Sequence, residues 1–217
     1  MVPGTGTDTR LFQNLTIEGY DTVGINYIIP EKGENMNAFA RTLAEQIDTT
    51  ETFVLLGVSL GGMLAMEMTS FINPEKIILI ASAKNETEIP GRYKFFRKIP
   101  VNKIIGGRLM KFCTRLFQPI FEPLGKEDQK LWRSMLKEKD PKFMKRAADC
   151  IIDWRGYDYK GLEVLHIHGS KDRTLPIKHV GTHHRIEGGT HIMTLTEAEE
   201  VSRVVNLFLG TLHGNDF

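Results

Sequence analysis

The stretch Phe53-Val54-Leu55-Leu56-Gly57-Val58-Ser59-Leu60-Gly61-Gly62 decides the fold. Phe53 to Leu56 is an apolar run of the length of a buried strand. Gly-x-Ser-x-Gly follows at once, and Met63, Leu64, Met66 and Met68 continue as an apolar segment. The order reads as strand, tight turn, helix. Such a turn forces its serine into a strained backbone conformation and lifts the hydroxyl clear at the C-terminal edge of a sheet. Gly57 and Gly61 are small because strand and helix must pass close together there. The first N–H groups of the helix, at its positive dipole end, then lie beside Ser59 and favour negative charge on a nearby oxygen. So short a motif also arises by chance, and its surroundings must carry the reading.

Outward from this stretch, strand and helix patterns alternate. Asp21 to Ile29 is β-branched and partly alternating, which predicts a strand before Pro30. From Asn35 the apolar period lengthens, with Phe39, Leu43 and Ile47 beside Ala40 and Ala44, so an amphipathic helix capped by Asn35 or Asn37 is expected. Pro3-Gly4-Thr5-Gly6-Thr7-Asp8 is a glycine-rich turn preceded only by Met1 and Val2, less than an ordinary strand, as if the chain were trimmed or began further upstream. Asp8 to Leu15 offers a short helix.

Downstream, Asn73-Pro74 stops the helix after Ser59, and Lys76 to Ala81 is a buried strand. Asp140-Pro141 opens a helix whose Phe143, Ala147 and Ile151 face is expected to pack on the sheet. Leu162 to Ile167 and His183 to Ile186 read as strands. The last helix carries a capping box, Thr196 with Glu199, ahead of Val201, Val204, Val205 and Phe208. Alternation of this kind calls for an α/β fold, a mostly parallel sheet with helices on both faces. The turns that follow its strands share one edge, where ligands of open α/β sheets bind.

From Lys84 to Lys139 the alternation breaks into helical stretches separated by proline and glycine. The expected organisation is therefore a core of residues 1–83 and 140–217 with a helical cap inserted at 84–139. Between Lys84 and Phe117 nine Lys or Arg stand against Glu86 and Glu88 alone, interleaved with Phe95, Phe96, Ile99, Ile104, Ile105, Leu109, Met110, Phe112 and Leu116. This is read as an amphipathic cap roofing a pocket, with attraction of anionic acyl carriers or peripheral membrane contact as the sharper alternative.

At 217 residues the chain suits one domain with an insertion, and 28 basic against 27 acidic residues is close to neutral. That balance, without a recognised motif, argues against nucleic-acid binding. No apolar run approaches the ~18 residues of a membrane span, and Met1-Val2-Pro3-Gly4 lacks a signal region, so the expected location is cytoplasmic. Cys113 and Cys150 are too isolated for a disulfide framework or a zinc site and read as buried or half-buried side chains.

An acyl-transfer site needs a nucleophile, a base, an acid to orient the base, and donors for the oxyanion. Ser59 is the candidate nucleophile. Asp172, in His168-Gly169-Ser170-Lys171-Asp172, follows the next-to-last strand, and His191, in Gly188-Gly189-Thr190-His191, follows the last. They are the candidate acid and base, in the chain order Ser, Asp, His. His166 and His168 share one face of a strand, but no Asp, Glu or Cys stands beside them at ligand spacing, and no metal site is expected. Asp153 and Asp158 precede their strand and belong to the wrong edge.

These motifs, with Pro3-Gly4-Thr5-Gly6, resemble the α/β-hydrolase superfamily, above all its small esterase and thioesterase branch with a helical cap. The resemblance spans nearly the whole chain except the cap. It implies the α/β-hydrolase fold with N-terminal strands missing or shortened, and an oxyanion hole of the Thr5 and Leu60 backbone N–H groups. It also implies a serine hydrolase, without cofactor, that cleaves a carboxylic ester or thioester of a small to medium acyl group through an acyl-enzyme. Because fold does not name a reaction, a non-hydrolytic lyase and a small-molecule binding protein with little turnover remain as alternatives.

Overall fold

The computed structural model describes residues 1–98, 105–156 and 161–211. Asp158 of the sequence reading, and Ile99, Lys103 and Ile104 of the basic stretch, lie outside them.

Four parallel strands form: β1 (Val54–Val58), β2 (Lys76–Ile80), β3 (Glu163–Gly169) and β4 (His184–Ile186), side by side in that order. Leu56 lies opposite Ile78, and Ile78 opposite Leu165. Ile77 to Ile80 are buried on both faces of the central strand, which is why they form an unbroken apolar run rather than an alternating one. Around the sheet lie α1 (Met36–Ala44), α2 (Leu60–Met68), α3 (Gly91–Lys98), α4 (Gly107–Phe121), α5 (Lys126–Glu138), α6 (Pro141–Asp153), α7 (Met193–Thr196) and α8 (Ala198–Leu209). Asn35 caps α1, its Oδ1 accepting from the Ala38 N–H at 2.9 Å. All nine residues of α2 are buried, between α1 and strands β1 and β2, while α8 packs on β3 and β4. The architecture is the α/β-hydrolase fold, and α4 to α6 form its helical insert.

Three expectations are corrected. Asp21 to Ile29 is not a strand. It runs beside Met1 and Val2, with the Ile25 N–H donating to the Met1 carbonyl (2.9 Å) and the Met1 ammonium to the Val23 carbonyl (2.6 Å). No ladder continues along it, because the Gln46 side chain takes up the Asn26 N–H and carbonyl. Val2 bridges Gly57 in the parallel sense, so a remnant of strand pairing flanks β1.

The capping box of the last helix is not made. Thr196 is the final residue of α7, and α8 starts so soon after it that no extended cap forms there. The apolar face of α6 lies chiefly against α4, α3 and α1 rather than on the sheet, with the Phe143 ring 4.9 Å from that of Tyr27.

Candidate active site

The Gly-x-Ser-x-Gly turn joins β1 to α2, and Ser59 sits in it at φ 54°, ψ −120°. For a residue with a side chain this region costs roughly 1–3 kcal/mol, so the surroundings must hold it. They do so through two bonds. The Ser59 N–H donates to the Ile80 carbonyl (3.1 Å), and Ser82 Oγ donates to the Ser59 carbonyl (2.6 Å). Strand and helix approach so closely that a Cβ on Gly61 would lie 2.0 Å from the Val2 carbonyl oxygen, and one on Gly57 2.4 Å from that of Gly61.

The turns after β3 and β4 bring two further side chains to Ser59. His191 Nε2 lies 2.9 Å from Ser59 Oγ, and His191 Nδ1 lies 2.7 Å from Asp172 Oδ2. Asp172 is itself gripped. Its Oδ1 accepts from the N–H groups of Thr174 (2.8 Å) and Leu175 (2.7 Å), and its Oδ2 also lies 3.2 Å from His168 Nε2. His168 Nε2 faces the Leu175 carbonyl at 2.7 Å, which makes that nitrogen the protonated one. His166 Nε2 is engaged by the Ser82 carbonyl (3.1 Å) in the same way. Both histidines thus serve loops at the strand ends. Among the described residues no group of three or more His, Cys, Asp or Glu could share a metal ion.

Burial alone would push the Asp172 carboxyl up. The facing His191 charge and the bonds from His168 and His191 outweigh it and hold the group well below the usual carboxylate range. Burial alone would push the His191 imidazole down, yet the Asp172 carboxylate raises it, with help from Glu122. The arrangement therefore favours a charged acid and a base that gains a proton readily.

Thr5 lines the same cavity as Ser59, and Leu60 follows Ser59 in the chain. Leu60 is the first residue of α2, where an N–H has no acceptor within the helix. The turn carrying Thr5 is held by Tyr27 Oη, which donates to the Pro3 carbonyl (2.5 Å), and by Thr7, whose Oγ1 and N–H both donate to the Gly4 carbonyl (3.1 and 3.2 Å).

The sequence model of the Alpha/beta hydrolase family matches residues 3–204. The chain belongs to that family. No curated protein matches this α/β-hydrolase significantly, but solved structures share its fold at low identity. An esterase (EaEST) from Exiguobacterium antarcticum is 19% identical with a TM-score of 0.71, over 96% of this chain and 91% of that one. A bromoperoxidase from Bacillus anthracis is 20% identical with a TM-score of 0.66, over 96% and 91%. MenH from S. aureus is 14% identical with a TM-score of 0.71, over 97% and 92%.

In this α/β-hydrolase Ser59 and His191 open into a cavity of about 570 Å³. Met63 from below and Phe96, Met110, Phe117, Trp132, Met144 and Ile151 from the helices above make its walls largely apolar. One buried acid in this wall has no signature in the sequence. Glu122, at the C-terminal end of α4, accepts from the His191 N–H at Oε2 (2.8 Å) and from Thr174 Oγ1 at Oε1 (2.9 Å). It thereby ties the insert to the loops that carry Asp172 and His191, and burial pushes its carboxyl up. Cys113 lines the cavity half-buried. Cys150 is buried beside the Glu34 carbonyl, its thiol pushed up to about 12 by burial.

Proposed function

We propose that the protein is a serine hydrolase that cleaves a carboxylic ester or thioester of a small to medium acyl group. The observation that carries this reading is the bridge His191 makes between Asp172 (2.7 Å) and Ser59 (2.9 Å) at the floor of an apolar cavity. Ser59 Oγ attacks the carbonyl carbon as His191 Nε2 takes its proton, and Asp172 holds the ring with Nδ1 protonated and stabilises the imidazolium. The carbonyl electrons move to oxygen, where the Thr5 and Leu60 N–H groups receive the charge. Collapse breaks the bond to the alcohol or thiol, which leaves with the proton from His191. Water, deprotonated by His191, then attacks the acyl-Ser59 ester and releases the acid. Residues 84–139 act as a cap that shapes the acyl site. The esterase names among structures of this fold agree with the reading at the level of reaction class.

Hydrolysis of p-nitrophenyl esters from acetate to laurate, and of matching thioesters, tests it. Ser59→Ala should lower kcat by about 10³-fold or more while the fold is kept. Equal turnover by wild type and variant would remove Ser59 as the nucleophile, and none by folded wild type on any substrate would move the reading to a lyase or a binding protein.

A further inference from the structure

The outward side of α4 is apolar where a helix facing water is ordinarily polar. Leu109, Phe112, Leu116 and Ile120 are 53, 60, 55 and 59% exposed, and their spacing aligns them in one stripe along a helix about 22 Å long. This is not the packing face of the helix. That face is separate, with Gly107 against the Pro141 carbonyl and Gln118 buried. Arg108 and Arg115, both exposed, flank the stripe, and no Asp or Glu occurs between Gly107 and Phe121. On the opposite flank Phe117 and Phe121 are exposed and also line the cavity that contains Ser59. One continuous apolar band therefore runs from solvent into the site.

We infer that this face of α4 docks the protein on an anionic lipid surface, with the helix lying in the interface and the cavity mouth turned toward the lipid. The apolar stripe enters the boundary between headgroups and acyl chains, while the two guanidinium groups stay level with the phosphates. A second copy of the chain fits less well, because pairing two such faces sets arginines near arginines with no carboxylate between them. The cavity would then receive an acyl chain without its crossing water. The docking itself rests on exposure and charge, not on the hydrolase reading, so the two can fail separately.

Vesicle flotation of the full chain tests the inference, using phosphatidylcholine alone and phosphatidylcholine mixed with phosphatidylglycerol. Partition into the mixed vesicles should be at least about tenfold stronger and should weaken as salt is added, since screening acts over about 10 Å. Leu109→Ser/Phe112→Ser/Leu116→Ser should lose binding to both vesicles with an unchanged circular dichroism spectrum and Tm. Arg108→Gln/Arg115→Gln should lose the preference for the anionic ones. Absence of wild-type binding, or equal partition into both vesicles, overturns the inference. So does a wild-type dimer in sedimentation velocity that the serine variant turns into monomer, which would give the face to a second copy.

Discussion

Ser59 takes its positive φ from the Gly57 and Gly61 packing around it and from the hydrogen bonds its N–H makes to the Ile80 carbonyl and its carbonyl receives from Ser82 Oγ, not from its own side chain. Its environment therefore survives loss of the hydroxyl, so Ser59→Ala reads chemistry rather than folding. His191 must be neutral to accept a proton, and its folded value lies above the ordinary 6.5. The acidic limb of kcat/KM should accordingly have its midpoint above pH 6.5, with activity lost below it. The Glu122 carboxylate contributes to that raised value. In Glu122→Gln the amide oxygen can still accept from the His191 N–H, so the limb should move to lower pH while the protein stays folded. A limb left in place in Glu122→Gln would show that the carboxylate charge does not reach the imidazole. Ser59, Asp172 and His191 stood out in the sequence because each sits in a short turn whose neighbours announce it. Glu122 did not, because a glutamate ending an amphipathic helix looks solvated, and only its long-range contact with His191 makes it otherwise. Tyr27 escaped for the same reason, since its hydroxyl acts on the Pro3 carbonyl across the fold.

At the scale of elements, burial on both faces made β1 and β2 legible as apolar runs, and the four-residue period did the same for α1. Where a pattern depends on what lies beside it, the sequence misled. Asp21 to Ile29 has strand composition but gives its Asn26 N–H and carbonyl to the Gln46 side chain, and α6 turns its apolar face to α4, α3 and α1 rather than to the sheet. The joint between insert and core runs through buried polar groups. Trp154, just past α6, donates from Nε1 to Glu67 Oε1 (2.7 Å), and Asn37 of α1 donates to Glu67 Oε2 (2.9 Å). Trp154→Phe keeps an aromatic side chain but removes the indole N–H and leaves a buried carboxylate oxygen without that donor, and should cost about 1–3 kcal/mol. Urea unfolding checks it, with a lower midpoint at an unchanged m-value expected; an unaltered midpoint would mean that solvent replaces the indole donor.

For the whole molecule, the Asp172–His191 pair links stability to pH. Asp172 is depressed below its ordinary 3.8, so its contribution is present above that value and fades as pH falls through the folded one. His191 is raised, so its contribution is full below its ordinary 6.5 and fades as pH rises through the folded value. The stability difference between wild type and Asp172→Asn should therefore peak near pH 5 and shrink toward both pH 2 and pH 9, as followed by denaturant titration. A difference independent of pH would mean that Asp172 acts only through its bonds to the Thr174 and Leu175 amides. The described residues contain no helix long and apolar enough to cross a membrane. The central claim is that Ser59 becomes covalently acylated with His191 as its base, and intact-mass analysis after a fluorophosphonate probe tests it most directly. The account predicts a single adduct on Ser59, absent in Ser59→Ala and formed at least about 10²-fold more slowly in His191→Ala. Folded wild-type protein that gains no adduct, or labels as fast without His191, would contradict it.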